Sequence, residues 1–421
     1  MAKLKGVILG VENVLMKVGD IEPQTAILEE TGRLVRFLQS QRVEIVVLTN
    51  RNWVVTSDGA KKIPLQDFIK RIWGVDLIWH LCAQGGMPAK QTAASIELVR
   101  NKRGWRANET LFVGNTENDM RAAVNGKVLL LNAQWYQKTM PYGFPCETPK
   151  EVARFIDIFC FRDDFWYFRV EDGPIRVYSL APFSTIYDRF PEETYYSKDF
   201  LANVKNELAD DEDFWAKLLS TSTYFDGVYA TVDYITAYPK HEAGQYQQVL
   251  VRPMTKFAQC FRKSYITDLI TRHTTALKAQ FNRPVVNHVT QLNSIHIHQN
   301  PHRISNEQLK QYANFPAGTG KKVLVIDDVC TQGFSFEAAR IYLNRAGAEV
   351  VCVSFLKAFR HGYESLNKAI LPRGAFRPNT VTDMALGKIY SLNGHIVDPD
   401  AASKLKQRLV KYQNWDWPAG I

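Results

Sequence analysis

The sequence predicts an α/β protein built from two parallel-sheet domains. Apolar runs rich in Val, Ile and Leu alternate with helically spaced segments in the first third, and the same rhythm returns near residue 229. A Pro/Gly-rich stretch, with Pro141, Gly143, Pro145 and Pro149, separates the two parts.

In the first part Val7-Ile8-Leu9 reads as a buried strand, and Thr25 to Ser40 as a helix with Ile27, Leu28, Leu34, Val35 and Leu38 on one face. Val43 to Leu48 is a strand ending at Thr49-Asn50. A helix over Pro88 to Arg100, a strand over Thr110 to Gly114, a short helix over Met120 to Asn125 and a strand over Val128 to Leu131 follow. Next come a helix at 149–160 and a hairpin, Phe165 to Val170 turning at Glu171-Asp172-Gly173 into Ile175 to Tyr178. The acidic Asp210 to Asp213 opens a helix through Leu219. The later part reads as strand 229–238, helix 251–272, strand 323–328, helix 334–346 and strand 349–355. The expected boundaries are 1–137 for the first domain, 138–160 for a linker and helix, 161–400 for the second domain with an aromatic-rich insert that serves either as a hood over an acceptor or as interdomain packing, and 401–421 for a terminal helix and tail.

Composition narrows the class. With 421 residues, 46% hydrophobic and 23% charged, the chain is ordinary globular protein. No run approaches the roughly 18 consecutive apolar residues of a spanning helix, so no membrane association is expected. The six cysteines form no C-x-x-C pair, which argues against a zinc ribbon or disulfide framework and fits a reducing cytoplasm. The net charge of +9 suits anionic ligands. Its basic residues are dispersed, so small phosphorylated ligands are favoured over nucleic acid.

Residues 4–135 resemble the haloacid dehalogenase-like (HAD) phosphohydrolases in their order of elements. The family's first strand ends in D-x-D-G-T-L, where this chain has Gly10-Val11-Glu12-Asn13-Val14-Leu15. Thr49 matches the second motif, Lys90 the third, and Gly114-Asn115-Thr116-Glu117-Asn118-Asp119 the fourth. The departures remove chemistry. Gly10 supplies no nucleophilic carboxylate, and a Mg²⁺ site would keep only Glu12 and Asp119 because position 115 is Asn. This domain is expected to be an inactive scaffold, or an interface for a protein partner or a second copy; a retained phosphate or nucleotide pocket through Thr49, Asn50 and Lys90 is the alternative.

The most informative stretch is Val323 to Ser335: an apolar strand, the paired acids Asp327-Asp328, a short turn with Gly333, and a helix from Phe334. N–H groups at the turn and helix start can cradle a phosphate, and two carboxylates can receive the vicinal hydroxyls of a ribose. The pattern resembles the D-D-x-x-T-T-G-x-T loop of type I phosphoribosyltransferases, of the competence-protein-like kind. Asp327, Asp328, Thr331 and Gly333 match, while Gln332 and Ser335 replace threonines. The resemblance spans about 180–395 and implies a second Rossmann-like domain. It implies 5-phosphoribosyl diphosphate with Mg²⁺ as ligand, the metal held indirectly by Asp327 and Asp328. Thr331 to Ser335, Phe334 included, would bind the phosphate, and Lys240 and His241, after the strand ending at Tyr238-Pro239, the diphosphate. A lid across 272–303 would supply Arg272 and Arg303 as cations.

The implied reaction is displacement at ribose C1, carried by positioning and charge. A nucleotide sensor without turnover, and a component (effector or scaffold) of a stress or anti-phage defence system touching nucleic acid, stand as alternatives. His296, His298 and His302 invite a metal reading. They have no carboxylate or Cys close in sequence, and are expected to be polar lid or strand residues.

Overall fold

Six parallel strands make the first sheet, in the order Ile78–Leu81, Glu44–Thr49, Gly6–Leu9, Thr110–Gly114, Leu129–Ala133 and Phe144–Cys146. The computed structural model describes residues 3–57, 61–138, 140–205, 212–275, 287–305 and 308–421. The central strand Gly6–Leu9 is buried along its whole length because helices cover both faces of a parallel sheet. After it the chain crosses to Glu44–Thr49 on one side, and Thr110–Gly114 occupies the other side. The carboxyl ends of these strands therefore diverge at a switch point, where a crevice opens.

A second sheet runs Ser264–Tyr265, Tyr234–Ala237, Lys322–Cys330, Glu349–Ala358, Ile175–Phe183 and Phe168–Asp172. Its pairings are parallel except the last, the expected hairpin. Tyr234–Ala237 leads outward to Ser264–Tyr265, and Lys322–Cys330 leads the opposite way to Glu349–Ala358. A second switch point thus lies beyond Ala237 and the acids of Lys322–Cys330.

Several elements differ from expectation. The stretch read as a linker contains the strand Phe144–Cys146, whose Pro145 is tolerated at the sheet edge. The helix expected over 251–272 stops at Gln259, since Arg262 turns the chain with a left-handed φ of 55°. Its remainder forms Ser264–Tyr265 and Ile270–Arg272. The strand expected from 229 begins at Tyr234, after a helical turn at Val228–Thr231 that follows Gly227. The strand carrying the paired acids continues through them to Cys330. Of the expected lid, residues 276–286 lie outside the described residues, as does the start of the acidic stretch at 210–211. Described parts of the lid form two antiparallel ribbons, Ile270–Arg272 with Ile295–Ile297 and His302–Ser305 with Gln308–Gln311.

Much of the aromatic-rich segment packs between the two sheets. Phe159, Phe165, Trp166, Tyr196, Phe214 and Trp215 are buried in one core continuous with residues of the first sheet. The Tyr224 hydroxyl donates to Thr110 O at 2.7 Å, and Asn108 Nδ2 to Phe225 O at 2.8 Å. The terminal helix Ala401–Gln413 buries Leu405, Leu409 and Tyr412 in the same core. No helix among the described residues is long and apolar enough to cross a membrane.

Candidate functional site

The second switch point gathers two loops. One follows the strand Lys322–Cys330 and contains Thr331, Gln332 and Gly333 before the helix Phe334–Arg345. Asp327 and Asp328 are half-buried on the strand before it. Asp328 N donates to Asp327 Oδ1 at 2.9 Å and Val329 N to Asp328 Oδ1 at 2.7 Å, so the backbone orients both carboxylates. Gly333 has φ 92° and starts the helix without a side-chain cap. The helix amino terminus therefore keeps its positive end directed at the loop. A Cβ at Gly333 would lie 2.3 Å from the Tyr363 ring, so only glycine permits both this φ and this approach.

Three partners hold the loop that sequence reading did not single out. The Lys357 ammonium donates to Thr331 O, to His361 O at 2.6 Å and to Gly362 O at 3.1 Å. This lysine is fully buried, and burial pushes its pKa down. Gln332 Nε2 donates to Glu364 Oε1 at 2.8 Å, and its carbonyl accepts from Glu364 N at 2.9 Å. Position 332 is thus an anchor to the neighbouring hairpin. His288, also buried, meets Phe334 edge to face with ring centroids 4.5 Å apart. Lysine at the end of an apolar run reads as a solvated strand end, so nothing in sequence marks Lys357.

The other loop follows Tyr234–Ala237. Tyr238 N donates to Ile326 O at 2.7 Å, which places Pro239 and Lys240 beside the acids' strand. Burial pushes the Tyr238 phenol up to about 12; its hydroxyl donates to Gln291 Oε1 at 2.8 Å, and the Arg272 guanidinium lies 5.4 Å from its ring centroid. His241 is half-exposed and faces Glu242 at 3.5 Å. Arg272 is buried rather than poised on a lid. Its Nε donates to Lys240 O at 2.7 Å, Nη1 to Ser294 Oγ at 2.6 Å and Nη2 to Gln291 Oε1 at 3.3 Å. It positions the Lys240 loop. Arg303 lies elsewhere, its guanidinium 5.2 Å from the Tyr312 ring and its charge felt by Tyr234. Tyr234 pairs with Val323, four residues before Asp327 and so roughly 13 Å along the strand. The structure therefore does not bring Arg303 to the acids.

At the first switch point the matched positions converge but neutralise one another. Lys90 Nζ lies 2.5 Å from Asp119 Oδ1, with the two side chains 5% and 0% exposed. Asp119 Oδ2 accepts from Asn115 N, Thr116 N and Thr116 Oγ1 at 3.1, 3.0 and 2.8 Å. Gly10 abuts this carboxylate, and a Cβ there would sit 2.8 Å from Asp119 Oδ1. Thr49 Oγ1 donates to Arg51 O and accepts from Trp53 Nε1, while Asn115 Nδ2 donates to Asn132 Oδ1 and Gln137 O. Glu12 lines an open cavity of about 510 Å³ with Asn13, Asn115, Thr116, Met120 and Tyr142. Mg²⁺ does not fit this set: position 10 has no carboxylate, position 115 is neutral, and the Asp119 charge is already balanced by Lys90.

No family model matches the chain, and no curated protein matches it. Solved structures similar to about a third of the chain include phosphatases and a HAD-superfamily hydrolase. One, from Lactobacillus delbrueckii subsp. bulgaricus and described as a phosphoglycolate phosphatase, is 16% identical over 32% of this chain with TM-score 0.25. This chain spans only 54% of that protein's length. The cobalt-bound deoxy-D-mannose-octulosonate 8-phosphate phosphatase of Haemophilus influenzae is 16% identical over 37% of this chain and 87% of its own, with TM-score 0.26. A HAD-superfamily hydrolase of Geobacter sulfurreducens is 16% identical over 36% of this chain and 96% of its own, with TM-score 0.23.

Proposed function

We propose that the chain binds a 5-phosphoribosyl group, as the diphosphate or as a nucleotide, at the second switch point. The observation that carries this reading is the pairing of two oriented carboxylates with a glycine turn and an uncapped helix start on one strand–loop–helix unit. Asp327 and Asp328 receive the ribose hydroxyls. Backbone N–H groups of 331–335 receive the 5-phosphate, with the buried Lys357 ammonium beneath the loop adding positive potential. The Lys240 loop faces the diphosphate.

Mg²⁺ fits here as a companion of the ligand. The half-buried acids offer hard oxygen donors near where diphosphate and ribose oxygens would lie. When bound, the metal screens the leaving diphosphate. The chain's own residues orient the ribose and hold the loops, while burial favours the neutral Tyr238 phenol. Displacement at ribose C1 is the reaction this arrangement suits. A non-catalytic sensor is the second reading, favoured because Arg272 is committed to Lys240 O and Arg303 lies at Tyr312. In either case the first site serves as a scaffold without phosphatase chemistry.

Isothermal titration with phosphoribosyl diphosphate and Mg²⁺ tests the proposal on wild type and on the Asp327→Asn/Asp328→Asn variant. Binding lost in the variant is the expected result, and no binding by wild type overturns both readings. Diphosphate release with a panel of bases selects transfer; binding without release selects sensing. Binding to DNA or RNA with a steep salt dependence would instead favour the defence-system alternative.

A further inference from the structure

We propose that Asp268, His298 and His302 form a site for a divalent transition metal of the zinc class, separate from the phosphoribosyl loop. Asp268 lies 30 and 34 residues before the two histidines, but one ligand atom from each of the three lies within 4.8 Å of the others. His298 Nδ1 is 2.9 Å and His302 Nδ1 2.7 Å from the same oxygen, Asp268 Oδ2. The rings are 5.8 Å apart between centroids and inclined by 36°.

Backbone hydrogen bonds hold both histidine positions and orient the Asp268 carboxylate. Thr267 N donates to His302 O at 3.1 Å, His302 N to Asp268 Oδ1 at 2.6 Å, and His298 N to Leu269 O at 3.0 Å. Ile266 and Arg303 form a β-bridge immediately alongside, and Pro301 restricts the turn between the histidines. The carboxylate is thus oriented through its second oxygen, as an outer hydrogen bond orients a metal ligand.

Size and chemistry agree. Zn–N and Zn–O bonds of about 2.0 Å in a tetrahedron separate ligand atoms by roughly 3.3 Å. The present 2.7 and 2.9 Å contacts need to open by only about half an ångström when the shared protons leave. The imidazole side chains are 35% and 29% exposed, so water can reach the remaining coordination position. Two imidazoles and one carboxylate suit Zn²⁺, Co²⁺ or Ni²⁺ better than Mg²⁺ or Ca²⁺, which take oxygen ligands. The six cysteines are buried and do not compete.

The test uses the full, untagged chain after chelator treatment and dialysis, titrated with Zn²⁺ by calorimetry and Co²⁺ by visible absorption. Wild type is expected to take one equivalent and to develop the d–d bands of a low-coordinate nitrogen/oxygen site. His298→Ala and His302→Ala should each bind at least about tenfold more weakly, and the double variant should lose the bands. Asp268→Asn risks misfolding because Asp268 also holds His302 N, so the half-exposed His298 carries the decisive comparison, with circular dichroism confirming its fold. Wild type that binds no Zn²⁺, or a double variant that binds as wild type does, overturns the proposal.

Discussion

Removing the charge of Asp119 should be among the most damaging single changes in the first sheet. Its carboxylate is the buried counterion of Lys90, at 2.5 Å, with both side chains nearly solvent-free. Asp119→Asn keeps the shape but leaves an ammonium buried beside an amide, and breaking such a pair costs about 3–5 kcal/mol. Lys90→Met should cost less, roughly 2–3 kcal/mol. The orphaned carboxylate would still accept from Asn115 N, Thr116 N and Thr116 Oγ1. The double variant should fall short of the sum by about 1–3 kcal/mol, the coupling within the pair. Urea unfolding followed by far-ultraviolet circular dichroism and tryptophan fluorescence measures all three, with slopes compared to check that the denatured states match. A loss below about 1 kcal/mol for Asp119→Asn, or a Lys90→Met loss larger than it, refutes the sealed ion pair. So does Mg²⁺ stabilisation of a variant with the second-sheet acids removed: ligand at tenfold its Kd adds about 1.4 kcal/mol, and a sealed pair allows none.

Gly333→Ala should destabilise by about 2–5 kcal/mol, summing the left-handed backbone cost and overpacking against Tyr363, and should abolish phosphoribosyl diphosphate binding in calorimetry. Lys357→Met should cost roughly 2–4 kcal/mol by leaving the carbonyls of Thr331, His361 and Gly362 without their donor, and should weaken ligand binding in the same titration. Burial lowers the pKa of His288, so the unfolded chain takes up its proton first. The stability tied to its neutral ring is present above the unfolded value near 6.5 and lost as pH falls toward the folded value. Urea midpoints at pH 7 and pH 5 should therefore differ less in His288→Leu than in wild type.

Period and composition made the sheets legible. The runs Ile45 to Leu48 and Val323 to Ile326 are apolar because both faces of those strands are covered, and the acids after Ile326 stand out against them. The helix overrun past Gln259 has a physical cause: Phe257, Phe261, Tyr265 and Leu269 keep a spacing of four through the turn at Arg262. Tertiary contact decides against the pattern there. Candidate site residues stand out in sequence where one segment carries them, as in 327–335. They do not where remote segments meet. Arg272 reads as a free cation until the Lys240, Gln291 and Ser294 acceptors close around it. Asp268 reads as a surface acid until the chain returns to it at His298 and His302.

A sheet with glycine at position 10 can still be required by the rest of the chain. Phe155 meets Phe144 at 5.8 Å, Phe161 and Trp415 meet Phe37 at 6.3 and 6.4 Å, and Tyr224 donates to Ala107 O and Thr110 O. Half-exposing these four later aromatic side chains uncovers about 300–500 Å², or roughly 8–12 kcal/mol at 25 cal/mol per Å². That is comparable to the whole stability of a domain, about 5–15 kcal/mol. A fragment comprising 150–421 should therefore fail to form a monomer with fixed tertiary packing. Size-exclusion chromatography should show aggregation, and near-ultraviolet circular dichroism a collapsed aromatic signal. A monomeric fragment with the wild-type aromatic spectrum would show that the second sheet closes its core unaided. The first sheet's retention would then need a ligand or partner at the Glu12–Asn115 cavity rather than packing to explain it.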